Sequence, residues 1–261
     1  MSNPIISIQD VSFDYISKTG KIDALESINF DIDEGEFVCV LGPSGCGKST
    51  LLKLIAGFEK VSGGKILLHD DPINGIDYHR GVVFQKDNLF EWLSVRNNIN
   101  YGLRMRGGLS RQEINEKTED MCRLMKLTGF IDKKVYELSG GMRQRVSIGR
   151  TLINNPDILL MDEPFSALDA LTREQLQDAL RDLWIDQKNT IFFITHDIDE
   201  AMVLGTRVLV MSSRPGKVKK DISLEYTYQI SQEGNSRHKL SEDYFELRKE
   251  IYDMICEEHT L

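Results

Sequence analysis

Residues 42–50 read GPSGCGKST: Gly42, Pro43, Ser44, Gly45, Cys46, Gly47, Lys48, Ser49 and Thr50. This is Gly, four residues, then Gly, Lys and a hydroxyl residue. Glycines let a backbone fold tightly around phosphate oxygens, in conformations a Cβ would block. The N–H groups then point inward, and a helix opening at Lys48 adds the positive end of its dipole. Lys48 supplies charge for the β- and γ-phosphates, and the Ser49 hydroxyl is the expected Mg²⁺ ligand. The flanks agree. Phe37–Leu41 is an apolar run suited to a buried strand, and Leu51, Leu52, Leu54 and Ile55 suit a helix packed beneath a sheet. An ordinary Gly-rich turn is the competing reading, and the strand before and helix after disfavour it.

The chain has 261 residues, enough for one large domain or a domain with a subdomain. Its net charge is −9, from 32 basic and 41 acidic residues, which argues against a nucleic-acid footprint. The four cysteines, Cys39, Cys46, Cys122 and Cys256, lack metal-type spacing and read as reduced thiols of a cytosolic protein. No apolar run approaches the roughly 18 residues of a membrane span. The N-terminus lacks a basic start followed by an apolar core, so no signal peptide is expected.

Residues 5–15 and 24–32 alternate apolar and polar side chains, as half-buried strands do, with a hairpin loop at 17–20. Tyr15 sits at the edge of that loop. An aromatic there can stack on adenine, although a rim aromatic of the sheet is the better local reading. Residues 58–64 read as a turn, 65–68 as a short strand, 70–72 as another turn, and 81–84 as an apolar strand delivering Gln85. Helices are expected at 93–105 and 111–127, the second with Met121, Leu124 and Leu127 as its apolar stripe. Between Gln85 and the first helix stand Leu89, Phe90 and Trp92, which are either tucked inward or reserved for a partner. The α/β pattern returns with a helix at 142–154, a strand at 158–161 and a helix at 172–187. Thr172 and Gln175 have the spacing of a capping box. A strand at 190–195, a helix at 198–204 and a strand at 207–211 follow, then an edge strand at 217–224. Residues 227–239 read as a polar, mobile segment, and 241–258 as a last helix with Tyr244, Leu247, Ile251 and Ile255 in register.

Three expected strands end in polar residues: one at the phosphate loop, one at Asp162-Glu163, one at His196. Open parallel sheets bind ligands outside the carboxyl ends of their strands. If all three strands share one sheet, these groups converge on one nucleotide. Asp162 can hold Mg²⁺ through water, and Glu163 can orient and deprotonate an attacking water. Gln85 can bond the water or the metal shell, and His196 can donate to the γ-phosphate. Taken alone, Asp162-Glu163-Pro164 reads equally as a strand-ending turn, Gln85 as polar surface and His196 as a structural residue. Their common position outside strand ends favours the site.

Ser139, Gly140 and Gly141 open another helix and make a second anion cradle, unless they are a plain Gly-rich helix start. One nucleotide does not need two cradles on one chain. The economical explanation is that this one serves the γ-phosphate of a second subunit's ATP, so that a symmetric pair has two composite sites.

GPSGCGKST, Gln85, LSGGMRQR (138–145), ILLMDEP (158–164), SALD (166–169) and ITHD (194–197) stand in the order and spacing of the ATP-binding-cassette ATPases. The chain resembles that family over nearly its whole length, most specifically in LSGGMRQR. The resemblance implies an α/β fold: a P-loop NTPase core sheet with an antiparallel β subdomain and a helical subdomain, as one domain over 1–261. Residues 1–86 and 138–225 are then the nucleotide-binding core, 87–137 the helical signature subdomain, and 226–261 a polar loop and C-terminal helix. It implies ATP and Mg²⁺ as cofactors, with the metal held by Ser49, Gln85 and Asp162. It implies Tyr15 as the adenine-stacking aromatic, Gln85 as the lid residue, Ser139 to Gly141 as the signature, Glu163 as the catalytic base, Asp169 as the residue communicating across the dimer and His196 as the γ-phosphate switch.

One importer subgroup is resembled in particular, the ATPases for nitrate, sulfonates, taurine and related solutes. The likeness lies in GPSGCGKSTLL, in LFEWLSV (89–95) and in Ser213-Arg214-Pro215-Gly216; Glu91 stands where that subgroup usually has Pro. The implied assembly is a homodimer on the inner face of the membrane, with two permease subunits docking near residues 85–95, a solute-binding protein, and no nucleic acid. Against the soluble cassette proteins of DNA repair or translation stands the lack of a second cassette or a heptad insertion. P-loop kinases and GTPases are disfavoured by the double-Gly signature and the missing guanine-recognition motif.

Overall fold

The computed structural model describes residues 4–17, 20–232 and 241–259. In chain order come β1 (Ile6–Ser17), β2 (Gly20–Ile32), β3 (Phe37–Leu41) and α1 (Lys48–Ala56), then β4 (Gly63–Leu68), β5 (Asp71–Pro72) and β6 (Arg80–Val83). Helices α2 (Val95–Ile99), α3 (Tyr101–Arg106), α4 (Arg111–Leu124) and α5 (Gly140–Leu152) follow, then β7 (Ile158–Asp162) and α6 (Ala170–Gln187). The chain continues through β8 (Thr190–Ile194), α7 (Ile198–Leu204), β9 (Arg207–Met211), β10 (Val218–Ser223), α8 (Tyr226–Gln232) and α9 (Glu242–His259). It divides into two compact units, Met1–Asp77 with Gln177–Leu261, and Tyr78–Leu176.

The first unit holds an antiparallel sheet in the order β2-β1-β4-β5. Ile6 faces Ile32 and Ile8 faces Phe30, so the alternating apolar residues of β1 and β2 share one face. The same unit has β3 between two parallel neighbours, β8 and β9, with β10 antiparallel on the outside of β9. Every residue of β3 and β8 is buried. Strands covered on both faces carry continuous apolar runs, which is why FVCVL and TIFFI do not alternate. Trp184 is wholly buried against Phe37, and its indole N–H donates to the Gly35 carbonyl at 3.0 Å. In the second unit β6 and β7 pair in parallel, Val83 opposite Met161, and α2 to α5 lie between them in sequence.

Several boundaries differ from the expectations. The helix expected at 93–105 is two helices meeting at Asn100, and it starts later because Ser94 caps the Asn97 N–H. Helix α4 stops at Leu124, and Leu124 is itself exposed; Cys122 and Thr118 face inward instead, and Leu127 is buried beyond the helix end. The capping box at Thr172 and Gln175 is not formed. Asp169 takes the cap, accepting the Thr172 N–H at 3.0 Å, and α6 begins earlier, at Ala170. Asp71–Pro72 is a short strand on β4, because Ile73 N–H reaches the Ile66 carbonyl. Residues 226–232 of the expected polar segment are helix α8, held by the buried Ile230 and by Thr227, whose hydroxyl donates to the Gly205 carbonyl at 2.6 Å. The rest of that segment, 233–239, and the tip of the expected hairpin at 18–19 lie outside the described residues. All four cysteines are free. Burial pushes the Cys39 and Cys46 thiols up, and the Cys122 thiol to about 11.

Candidate nucleotide site

In the first unit, β3 delivers the chain to Gly42 from a fully buried strand. The loop turns through Gly47 at φ 101°, a conformation that favours glycine. A Cβ there would also stand 2.6 Å from Leu25 Cδ2 and 3.0 Å from the Ala24 carbonyl. Helix α1 therefore opens from Gly47 with no side-chain cap and no acid in its first turn, leaving the positive dipole end to an anion. Lys48 is buried, with Nζ donating to the Gly42 and Pro43 carbonyls at 2.7 and 3.0 Å. The ammonium is thus folded into the loop itself. Pro43 and Cys46 are buried, whereas Ser44, Gly45 and Ser49 are exposed. Thr50 shares a hydrogen bond with the Tyr15 hydroxyl at 2.9 Å. Tyr15 lies edge-on to Phe13 at 4.9 Å and keeps 39% of its surface exposed beside the loop. His196 follows the carboxyl end of β8, the parallel neighbour of β3, and is exposed. Its turn is fixed on either side: Asp197 N–H donates to Thr195 Oγ1, and the Asp197 carboxylate caps Glu200 N–H. Gly42 and His196 therefore leave the same end of one parallel strand pair.

The second unit repeats that logic with β6 and β7. Gln85 follows the end of one and Glu163 the end of its parallel partner. Gln85 Nε2 donates to Ser166 Oγ at 3.2 Å, and Ser166 Oγ donates to the Glu163 carbonyl at 3.0 Å. Glu163 has φ 44°, uncommon for a residue with a side chain. Such strain persists where neighbours enforce it, and it concentrates at functional sites.

Ser139 caps α5, its hydroxyl accepting Met142 N–H at 3.3 Å. Ser139 and Gly140 are exposed, while Gly141 is buried against Thr172 so closely that a Cβ would strike its methyl group. Asp169 is exposed, and the Thr172 backbone N–H holds its carboxyl below the usual range. Arg143 ties the signature to the loop after Gln85: Nε donates to Asp87 Oδ2 and Nη1 to the Leu138 carbonyl, both at 3.0 Å. Arg150 bonds the Asn88 and Asp87 carbonyls at 2.9 and 3.2 Å, and burial lowers its pKa. Nearby opens a groove of about 750 Å³, lined by Phe84, Phe90, Tyr101, Met105, Arg106 and Arg150. Ser166, Arg143 and Arg150 were not singled out from sequence; only their place in or beside the SALD and LSGGMRQR motifs pointed to them.

In the first unit the exposed Ser49 beside the phosphate loop carries a hydroxyl, an oxygen donor of the kind Mg²⁺ takes. In the second unit Asp162, at the end of β7, carries a carboxylate; Mg²⁺ takes one or two protein oxygens of either kind together with phosphate oxygens and water. Among the described residues there is no cluster of three or more His, Cys, Asp or Glu side chains suited to a metal held by protein alone.

The sequence profile described as ABC transporter matches residues 25–166. The chain belongs to the ABC transporter family. The taurine import ATP-binding protein TauB of Rhizobium johnstonii is 47% identical over 249 residues, 95% of each chain. The aliphatic sulfonates import ATP-binding protein SsuB of Bacillus cereus is 42% identical over 246 residues, 94% of each chain. Among solved structures, the dimeric ABC cassette MJ0796 in a post-hydrolysis state with ADP and Pi superposes with a TM-score of 0.74 at 33% identity, covering 84% of this chain and 99% of that one. CbiO1 from Clostridium perfringens, part of the ABC transporter complex cbiONQ, gives 0.74 at 28% identity, covering 89% and 92%. This is an ABC ATPase fold. No helix among the described residues is long and apolar enough to cross a membrane.

Proposed function

We propose that this chain is the ATP-hydrolysing subunit of an ABC importer for a small oxyanion such as taurine, another sulfonate or nitrate. One observation carries the ATP reading: a buried lysine folded into a glycine loop that opens an uncapped helix, in a chain of this family. The import reading and the solute class rest on the taurine and sulfonate import relatives, similar over nearly the full length. Lys48 and the N–H groups of residues 42–50 bind the phosphates, Tyr15 supports the base, and Ser49 and Asp162 hold Mg²⁺ with help from Gln85. The metal, when bound, offsets phosphate charge. Glu163 takes a proton from the attacking water, and His196 donates to the γ-phosphate. Gln85 registers that chemistry; its bond to Ser166, which in turn bonds the Glu163 carbonyl, supports this role.

Two chains work together, Ser139, Gly140 and Gly141 of each completing the partner's site and Asp169 signalling between them. Permease subunits dock near residues 85–95, and a solute-binding protein delivers the solute, so the subunit works peripherally at the inner face of the membrane. The test is paired. Glu163→Gln is expected to bind Mg-ATP normally while turnover falls about 10²–10⁴-fold. Lys48→Ala is expected to weaken binding and turnover together. Normal phosphate release from the Gln variant would remove Glu163 from this role. Normal ATPase with no stimulation by any permease would favour a cassette uncoupled from transport, and stimulation only with an unrelated organic solute would overturn the oxyanion assignment.

A further inference from the structure

The loop of residues 212–217 joins β9 to β10 and runs beside the phosphate loop. Gly216 bridges Leu25, and its N–H donates to the Ala24 carbonyl at 3.0 Å. Arg214 Nη2 donates to the Gly45 carbonyl at 3.2 Å. One residue earlier, Ser213 is held by the last turn of α9: its N–H and hydroxyl donate to Glu258 Oε2 at 2.7 and 2.9 Å. The other oxygen of Glu258 accepts from Lys219 at 3.0 Å. Towards its start, α9 grips α7. Arg248 forms a two-pronged pair with Asp199 at 2.7 and 2.9 Å, and the Tyr244 hydroxyl adds a bond at 3.1 Å. Asp199 lies three residues after His196. Tyr244 is buried at the first of these contacts, and Ile251 is buried between Arg248 and Glu258, anchoring the helix.

We infer that α9 is a strap positioning both phosphate-facing parts of its unit: Glu258 through Ser213 and Arg214 to the phosphate loop, and Arg248 through Asp199 to the turn that carries His196. This rests on the reading that ATP binds at that loop. The physical link is the planar trans peptide between Gly45 and Cys46. Its C=O and N–H point to opposite sides. A cation drawing the Gly45 carbonyl outward therefore aims the Cys46 N–H into the loop, where it now reaches the Pro43 carbonyl at 3.4 Å. The charged donor also polarises that N–H, strengthening it towards an anion. Glu258 and Arg248 are positioning residues, since they act through Ser213, Arg214 and Asp199.

The full-length chain tests this with two readouts, Mg-ATP affinity by calorimetry at a temperature where each variant is folded, and steady-state ATPase. Arg214→Ala and Glu258→Ala are each expected to raise the ATP Kd about three- to tenfold, the range for a typical net hydrogen bond, since solvent screens these charges. The double variant should fall short of the product of the two, because both act on one loop. Arg214→Lys, which keeps a charged donor, should restore affinity. Arg248→Ala should instead lower kcat with KM little changed. Lower melting temperatures with wild-type Kd and kcat would make α9 merely structural and overturn the strap. Wild-type ATP binding by Lys48→Ala would instead sink the ATP reading itself, so the two failures are distinguishable.

Discussion

Trp92→Ala separates a docking surface from a piece of core. The Trp92 side chain stands in the loop after Gln85 with 72% of its surface exposed. Of roughly 250 Å² for a tryptophan, about 70 Å² is covered. At roughly 25 cal/mol per Å² that covered area contributes at most about 2 kcal/mol. Its ring contact is with Phe90, at 5.4 Å. The loop does not depend on that ring for its shape. The buried Asn98 side chain accepts the Phe90 N–H at 2.9 Å and donates to the Phe90 carbonyl at 3.1 Å, and Lys134 bonds the Trp92 carbonyl, which alanine retains. Leu89, 8% exposed, is the internal comparison, because Leu→Ala in a core costs about 2–5 kcal/mol. Urea denaturation of both variants should therefore show Trp92→Ala losing clearly less stability than Leu89→Ala, with ATPase of the isolated subunit kept. Assembly with the permease and vesicle uptake should fall, because a large exposed aromatic beside an open groove fits a partner contact. A Trp92→Ala loss as large as that of Leu89→Ala, or undiminished assembly and uptake, would refute the docking argument.

Gly47→Ala should abolish ATP binding in a chain that still folds, because alanine at φ 101° brings its methyl group against Leu25; filter binding with unchanged circular dichroism is the check. In the Glu163→Gln background, light scattering should report a dimer in Mg-ATP and a monomer in ADP, and Ser139→Arg should keep the chain monomeric while it still binds ATP; an unchanged mass in ATP would end the composite-site idea. The Glu258 carboxyl is held down at about 2 by the Ser213 N–H and by Lys219. Its folded value lies below the unfolded one, so its contribution is full above about pH 4.5 and is lost as pH falls towards 2. Glu258→Gln should therefore flatten the stability-against-pH curve between those limits and change nothing in its slope near neutrality.

Local signals carried the phosphate loop. Phe37–Leu41 and the start of α1 at Lys48 stand where the apolar run and the glycines put them. The same holds for α7 and β9, which stand at 198–204 and 207–211 as the pattern of apolar residues put them. What stayed hidden depends on partners distant in sequence or on competition between caps. Asp169 and Thr172 are both good caps, and only the fold shows that Asp169 wins. Arg143 reaches Asp87 across 56 positions, and Arg214 reaches Gly45 across 169. No periodicity in sequence encodes such pairs. Helix α8 was hidden for another reason: its polar composition reads as a linker, and what orders it is Thr227 bonding the Gly205 carbonyl.

The outermost strand of the four that contain β3 also bears on how the subunit behaves at high concentration. Strand β10 shows Lys219, Lys220 and Asp221 to solvent, and their charges are matched by Glu257 and Glu258, Glu250, and Arg207 respectively. A sheet edge is otherwise a template on which another chain can add a strand, and lysines along it are a common deterrent. Here Lys219 and Lys220 are each engaged by glutamates of α9, so an incoming strand would have to break those ion pairs as well as desolvate charge. Self-association through sheet extension is thereby disfavoured along this edge.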